Sequence, residues 1–286
     1  MTACEDIWYQ SVDGLKLYAA RYRQNNAPFT LLCMHGLTRN SADFEGLIAA
    51  LHSDFDILAV DQRGRGRSQY DSDPKRYVVP VYATDMFTLL ERRGIERTVL
   101  VGTSMGGLIA MQMMAMRPDL IAGVILNDIG AEIDGAGLAR IQGYVGKSRP
   151  VSNWEEATAE AKALNADAFP DYTEADWRRF ARRLFQQNED GVPVLAYDPA
   201  IANSTPSGKG GSGNVDMWSF YDSLPDLPTL IIRGALSDIL SADCVAEMVR
   251  RKRAATAVEV SNRGHAPALD EPDALAAIRT FLASLD

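Results

Sequence analysis

The chain has 286 residues, 47% of them hydrophobic and 23% charged, with a formal net charge of -9, which suits one large α/β domain or one domain carrying an insertion. That acidic balance argues against a nucleic-acid partner, which needs a basic face, and no apolar run of about 18 residues is present to span a bilayer. Met1 to Trp8 is acidic and polar where a signal peptide is basic and then apolar, so a cytoplasmic location is expected.

Ile7 to Val12 and Lys16 to Arg23 flank Asp13-Gly14 and predict a β-hairpin with a tight turn. Phe29 to Met34 is a continuous apolar run, the pattern of a strand buried on both faces, and it delivers His35-Gly36-Leu37 at its carboxyl end, where open α/β sheets build their sites. Asn40 or Ser41 can cap a helix over Ala42 to Leu51, and Asp56 to Val60 predicts the next strand. The following Asp61-Gln62-Arg63-Gly64-Arg65-Gly66-Arg67-Ser68 lacks the glycine spacing of a phosphate cradle and reads as a structural loop. Val81 to Arg93 has helical spacing and stops at Gly94.

Thr98 to Val101 is a β-branched run that leads into Gly102-Thr103-Ser104-Met105-Gly106-Gly107 and a helical pattern from Leu108 to Arg117. G-x-S-x-G between a strand and a helix is the form of a nucleophile elbow, in which a strained turn exposes the serine Oγ and glycines relieve the crowding two positions either side. The serine stands at the helix N-terminus, where developing negative charge is favoured. Met111, Met113, Met114 and Met116 read as core packing behind that helix. Leu120 to Leu126 is the next buried strand, ending in Asn127-Asp128, and the alternation so far specifies a parallel sheet with right-handed crossovers.

The alternation breaks between about Ala131 and Asn214, where helical patterns at Trp154 to Leu164 and Glu174 to Gln187 suggest an inserted cap. Tyr144, Trp154, Phe169, Trp177, Phe180 and Phe185 exceed what such short helices can bury among themselves and are expected to face the main domain. Tyr144 and Trp154, near the start of the cap, are the candidates to bind substrate. Arg178, Arg179, Arg182 and Arg183 read as a solvated helix face rather than an anion site, and Ser207 to Gly213 as a flexible cap edge. Pro228 to Arg233 and Ala257 to Val260 then predict strands, and Ala242 to Arg251 and Pro272 to Leu285 helices. Of three histidines, His265 in Asn262-Arg263-Gly264-His265 is the natural base for Ser104. A serine hydroxyl needs such a base, and the imidazole needs a carboxylate to fix its tautomer; Asp238, on the loop after Pro228 to Arg233, is assigned that place. The order Ser, Asp, His at successive strand ends belongs to one fold in particular.

These motifs resemble the α/β-hydrolase fold superfamily over nearly the whole chain: His35-Gly36, Asp61-x-Arg63-Gly64-x-Gly66-x-Ser68, Gly102-x-Ser104-x-Gly106, Gly234 with Asp238, and Gly264-His265. The resemblance implies an eight-stranded, mostly parallel sheet with a helical cap inserted after the sixth strand. On that reading residues 1-130 and 215-286 form the core and 131-214 the cap. It also implies Ser104 as nucleophile, His265 as base, Asp238 as its orienting acid and an oxyanion hole from the amides of Leu37 and Met105. Some relatives place the acid after the sixth strand, where Asp128 stands; with Asp238 favoured, Asp128 is expected to be a supporting group.

A serine at the elbow predicts an acyl-enzyme route on a small ester, lactone or related carbonyl substrate. Hydrolysis of carbon-carbon bonds in ring-fission products and ligand sensing in a receptor-like member of the fold are the alternatives, because a fold does not by itself fix function. The expected partner is a small molecule, apolar or ring-bearing, with no nucleic acid, no membrane, no metal and no cofactor, and the chain as monomer or homodimer. The cysteines Cys4, Cys33 and Cys244 have no metal or redox spacing and read as reduced.

Overall fold

The apolar runs become strands because each is short, β-branched and bounded by turn residues. A computed structural model describes residues 4–147, 149–204 and 216–285. Strands β1 (Cys4–Gln10) and β2 (Lys16–Tyr22) form the expected hairpin, and β3 (Thr30–Met34), β4 (Asp56–Asp61), β5 (Thr98–Thr103) and β6 (Ile121–Asn127) follow. Helices α1 (Glu45–Leu51), α2 (Val79–Arg92) and α3 (Met105–Met116) connect them. Asn40 caps the single 3-10 turn that precedes α1, its side chain accepting from the Ala42 amide.

After β6 the chain leaves the sheet for α4 (Gly135–Tyr144), α5 (Trp154–Asn165), α6 (Glu174–Leu184) and a small hairpin of β7 (Phe185–Gln187) and β8 (Pro193–Leu195). Its strands are too short to leave a periodic signal, so residues 185–187 read as helix in the sequence. Helix α7 (Met217–Ser223) leads back to β9 (Thr229–Gly234), α8 (Ala242–Arg251), β10 (Ala255–Val260) and α9 (Pro272–Ala283). The expected cap edge at Ser207 to Gly213, and the boundary at 214, lie outside the described residues.

The main sheet has eight strands in the order β1-β2-β4-β3-β5-β6-β9-β10. β2 pairs antiparallel with β1 and β4, and every other neighbouring pair is parallel. One apolar layer, with Met111 and Met113 fully buried, fills the face covered by α2, α3 and α8; another, with Leu47, Leu51 and Ile278, fills the face under α1 and α9. All six residues of β4 and the first five of β5 are buried, as central parallel strands require.

The loop after β4 is structural, as its sequence suggests. Arg63 is buried and its guanidinium donates to Asp85 on α2 (2.8 Å from Nε and from Nη2), to Asp71 (2.6 Å) and to Asp13 in the hairpin turn (3.0 Å). One cation thereby joins hairpin, loop and helix. Removing it leaves the buried carboxylate of Asp85 without its cation, while Asp71 keeps Arg76 at 3.6 Å and the Asp73 amide at 2.9 Å, so Arg63→Ala is expected to lose about 3 to 5 kcal/mol of stability. A urea midpoint unchanged from the wild type would show that the cluster carries no such energy.

Candidate active site

The elbow is a matter of backbone clearance. Ser104 adopts φ +53° and ψ -118°, a conformation that costs on the order of 1 to 3 kcal/mol for a residue with a side chain. It is held by its amide donating to the Asn127 carbonyl (2.9 Å) and by its carbonyl accepting from Gly107 (2.8 Å). A Cβ on Gly106 would stand 2.0 Å from the Met34 carbonyl oxygen, and one on Gly102 2.3 Å from that of Gly106. Neither position accepts any other residue without moving β3 or α3.

His265, on the loop after β10, presents Nε2 to Ser104 Oγ at 2.9 Å. Its Nδ1 faces the Asp128 carboxylate, 2.8 Å from Oδ2. A carboxylate at Nδ1 places the ring proton there, which leaves Nε2 as an acceptor for the serine hydroxyl. Asp128 follows β6 with φ +57° and is fully buried, its Oδ1 accepting from the Gly234 amide (2.8 Å) and its Oδ2 from the Ser237 hydroxyl (2.5 Å). Two donors besides His265 therefore replace the water the carboxylate has lost.

Asp238 does not meet His265, and the expectation that it orients the imidazole is corrected. Its carboxylate forms a two-point pair with Arg140 of α4, 2.6 and 2.9 Å, in a half-exposed position. The Arg140 guanidinium beside it holds its carboxyl below the usual carboxylate range. On this loop Ser237, one residue earlier, turns inward to Asp128, so Asp238 turns away. It is Asp128, expected as a supporting group, whose carboxylate faces the imidazole.

Met105 is the first residue of α3, and a first-turn amide has no intrahelical acceptor. Leu37 lines the cavity beside Ser104, and its carbonyl is held by the Nε of Arg65 (2.9 Å). Arg65 is fully buried, reaches Met105 Sδ at 3.7 Å and donates to the Tyr82 hydroxyl at 2.7 Å. His35 fixes the start of the same loop: its Nδ1 lies 2.8 Å from the Gly36 carbonyl, and its Nε2 accepts from the Gln62 amide at 3.1 Å. His35-Gly36 stands out in the sequence as the motif at the end of β3, whereas Arg65 lies in a loop whose pattern reads as structural and does not point to the site.

Ser104 and His265 open onto a cavity of about 120 Å³ between the sheet and the inserted segment. Tyr144 lines it, as expected; Trp154 does not. Trp154 begins α5 on the outer side, with the Arg182 guanidinium 3.7 Å above its ring. Phe169, Trp177, Phe180 and Phe185 were expected to face the main domain, yet they pack chiefly on one another in a separate cluster, Phe169 and Phe180 at 5.4 Å and Trp177 and Phe180 at 5.5 Å between centroids. Edge-on ring packing lets three short elements bury more aromatic surface than their length suggests. Phe169 and Phe180 also reach the cavity.

With this geometry in view, residues 31–278 match the model of the alpha/beta hydrolase family. The chain belongs to that family. It is 36% identical over 261 residues to 3-hydroxybutyrate-oligomer hydrolase of Cupriavidus necator, covering 89% of this chain and 88% of that one. It is 28% identical over 243 residues to 2-(acetamidomethylene)succinate hydrolase of Mesorhizobium japonicum, covering 85% and 84%. A crystal structure of an alpha/beta hydrolase from Novosphingobium aromaticivorans superimposes with a TM-score of 0.92 at 40% identity, over 99% of both chains. The relatives named by activity are hydrolases, and so is the family. Among the described residues no helix is long and apolar enough to cross a membrane.

The buried His35 gives this hydrolase an acid-sensitive joint. Burial pushes its imidazole down to about 3, so the unfolded chain binds a proton that the folded one refuses, and stability rises with pH through that window. The contribution is fully present above the ordinary histidine value of about 6.5 and is lost as pH falls towards 3. Unfolding free energy measured between pH 7 and pH 5 is expected to decline more steeply in the wild type than in His35→Gln. Equal slopes would remove His35 from the acid response.

Proposed function

We propose that this protein is a serine hydrolase that cleaves a small ester through an acyl-enzyme on Ser104, with His265 as base and Asp128 as the acid that orients it. The observation that carries this reading is the continuous chain from Ser104 Oγ to His265 Nε2 (2.9 Å) and from His265 Nδ1 to Asp128 (2.8 Å), opening on a cavity. As Oγ attacks the carbonyl carbon, its proton passes to Nε2, and the buried carboxylate stabilises the imidazolium that results. The carbonyl oxygen becomes an oxyanion, and the amides of Leu37 and Met105 are the donors assigned to it. Collapse of the intermediate expels the alcohol, which takes the proton from Nε2. Water, deprotonated in turn by His265, then releases the acid and restores Ser104.

The relationship to 3-hydroxybutyrate-oligomer hydrolase supports an ester of a short hydroxyacyl unit as substrate, and a cavity of about 120 Å³ suits a short chain better than a long one. Segment 131–214 serves in this reading as the cap that closes over it, with Tyr144 as one wall. Carbon-carbon bond cleavage and ligand sensing have no observation of their own in their favour.

Ser104→Ala is expected to lower kcat on short esters by on the order of 10⁴ or more while leaving the fold intact. A fluorophosphonate should label Ser104 alone, and labelling at any other residue would sink the assignment. Asp128→Asn keeps the shape but supplies the wrong partner for Nδ1, so a loss on the order of 10⁴ is expected. Asp238→Asn, which breaks only a half-exposed pair with Arg140, should cost less than about tenfold. Reversed effects in the two variants would return the acid to the loop after β9.

A further inference from the structure

The helix α6 carries four arginines, and three of them behave as a solvated face. Arg179 pairs with Asp176, Arg182 lies over Trp154, and Arg178 borders an outer groove with both helices α5 and α6. Arg183 is the exception. It follows Phe180 by three residues, so it lies on the same helix face, and it lines the cavity that holds Ser104. Its carbonyl is fixed by the Asn40 side chain at 2.6 Å.

The guanidinium of Arg183 has unused donors. Its Nε is fully buried, and among the described residues it makes no hydrogen bond and no carboxylate forms an ion pair with the guanidinium. Glu45 at the start of α1 is close enough to feel its charge without pairing. The other arginine of the cavity, Arg39, is already engaged: Asp43 accepts from its Nε at 2.7 Å and from Nη2 at 2.6 Å. Both guanidinium groups rest on Phe180, with Arg39 4.4 Å and Arg183 5.6 Å from its centroid. Two arginines against the single acid Asp43 leave the charged lining of this cavity with a surplus of one positive charge, in a chain whose net charge is -9. An orphaned buried donor costs free energy until something accepts from it.

We infer that Arg183 is the anchor for a carboxylate carried by the substrate, so that the esters this site takes are anionic rather than neutral. This rests on the reading of Ser104 as the nucleophile. The planar guanidinium matches the two oxygens of a carboxylate, which a lysine or a hydroxyl cannot reproduce. Phe180 beneath the guanidinium excludes water from one side and strengthens the contact. The acid end of the substrate is then held at a fixed distance from Ser104, and chain length between ester and carboxylate becomes a determinant of rate.

The test compares kcat/KM within two pairs of esters: p-nitrophenyl hydrogen glutarate against p-nitrophenyl pentanoate, and the linear dimer of 3-hydroxybutyric acid against its methyl ester. The first pair places the carboxylate on the acyl side and the second on the alcohol side. In the wild type the acid should exceed its neutral counterpart by on the order of tenfold or more in one pair. Arg183→Met should bring that ratio close to one, chiefly through KM, and Arg183→Lys should keep part of it. No preference in either pair, or a preference that Arg183→Met retains, overturns the inference while leaving Ser104 as nucleophile. A second measurement does not depend on turnover. Calorimetric titration of Ser104→Ala with monomethyl glutarate should give a Kd that weakens on the order of tenfold when Arg183→Met is added, and equal Kd values overturn the inference even if no ester is hydrolysed.

Discussion

The buried carboxylate of Asp128 joins the ends of three strands. Standing just past β6, it accepts from the Gly234 amide at the end of β9, from Ser237 on the loop that follows, and faces His265 on the loop after β10. A carboxylate with no exposure to water is costly unless its lone pairs are filled. Here every partner lies on the carboxyl side of the sheet. The need to satisfy one charge thus registers the imidazole against Ser104 more firmly than the loops could do alone. Asn127, one residue earlier, adds to the same joint by donating to Thr103 Oγ1 at 3.0 Å and to the Pro267 carbonyl at 2.8 Å.

The opposite wall of the site is held by cations and a neutral imidazole. Arg63 fixes the loop after β4 to the hairpin and to α2, and Arg65 carries that fixed position to the Leu37 carbonyl. His35 ties the start of the Leu37 loop to Gln62 on the far side. Amides assigned to an oxyanion act only if they do not have to reorganise as charge appears. Burial of Arg63, Arg65 and His35 answers that requirement, since each is enclosed and has partners it cannot exchange for water.

Much of this was legible in the sequence because it depends on short-range geometry. The elbow needs glycine at positions 102 and 106 for clearance, and buried parallel strands need continuous apolar runs; both leave a mark within ten residues. The choice between Asp128 and Asp238 leaves none. Each stands on a loop at the end of a strand, and which one turns inward depends on Ser237 and on Arg140, a residue from α4 some hundred positions away in the chain. Trp154 and Tyr144 looked alike for the same reason, since helical phase alone does not say which face a cap presents. Arg183 was hidden by its neighbours: four arginines in six residues have the pattern of a solvated face, and only the packing of Phe180 separates one of them from the rest.

The separate aromatic cluster of the inserted segment changes what that segment can do. Trp177 and Phe185 are buried among their own neighbours, which gives one part of the segment a core of its own. The segment is fastened to the loops that bear the chemistry. The Gly264 amide, next to His265, donates to Ala168 at 2.8 Å; Gly66 donates to Ala196 at 2.7 Å, and Asp198 to Gly64 at 2.8 Å. Tyr77 adds a hydrogen bond to Asp198 at 2.6 Å. The segment also shares an apolar interface with the main domain, since Val145, Tyr197 and Ile201 are buried in the layer that α2 and α3 cover, with Ile141, Tyr144 and Leu195 packed against it. The points of attachment are the loops of His265 and of Gly64 to Gly66, whereas Tyr144 of α4 and Arg183 of α6 line the cavity. In the function proposed above, the reaction rests on the strand-end loops and the choice of substrate on the side chains that the inserted helices add to the cavity.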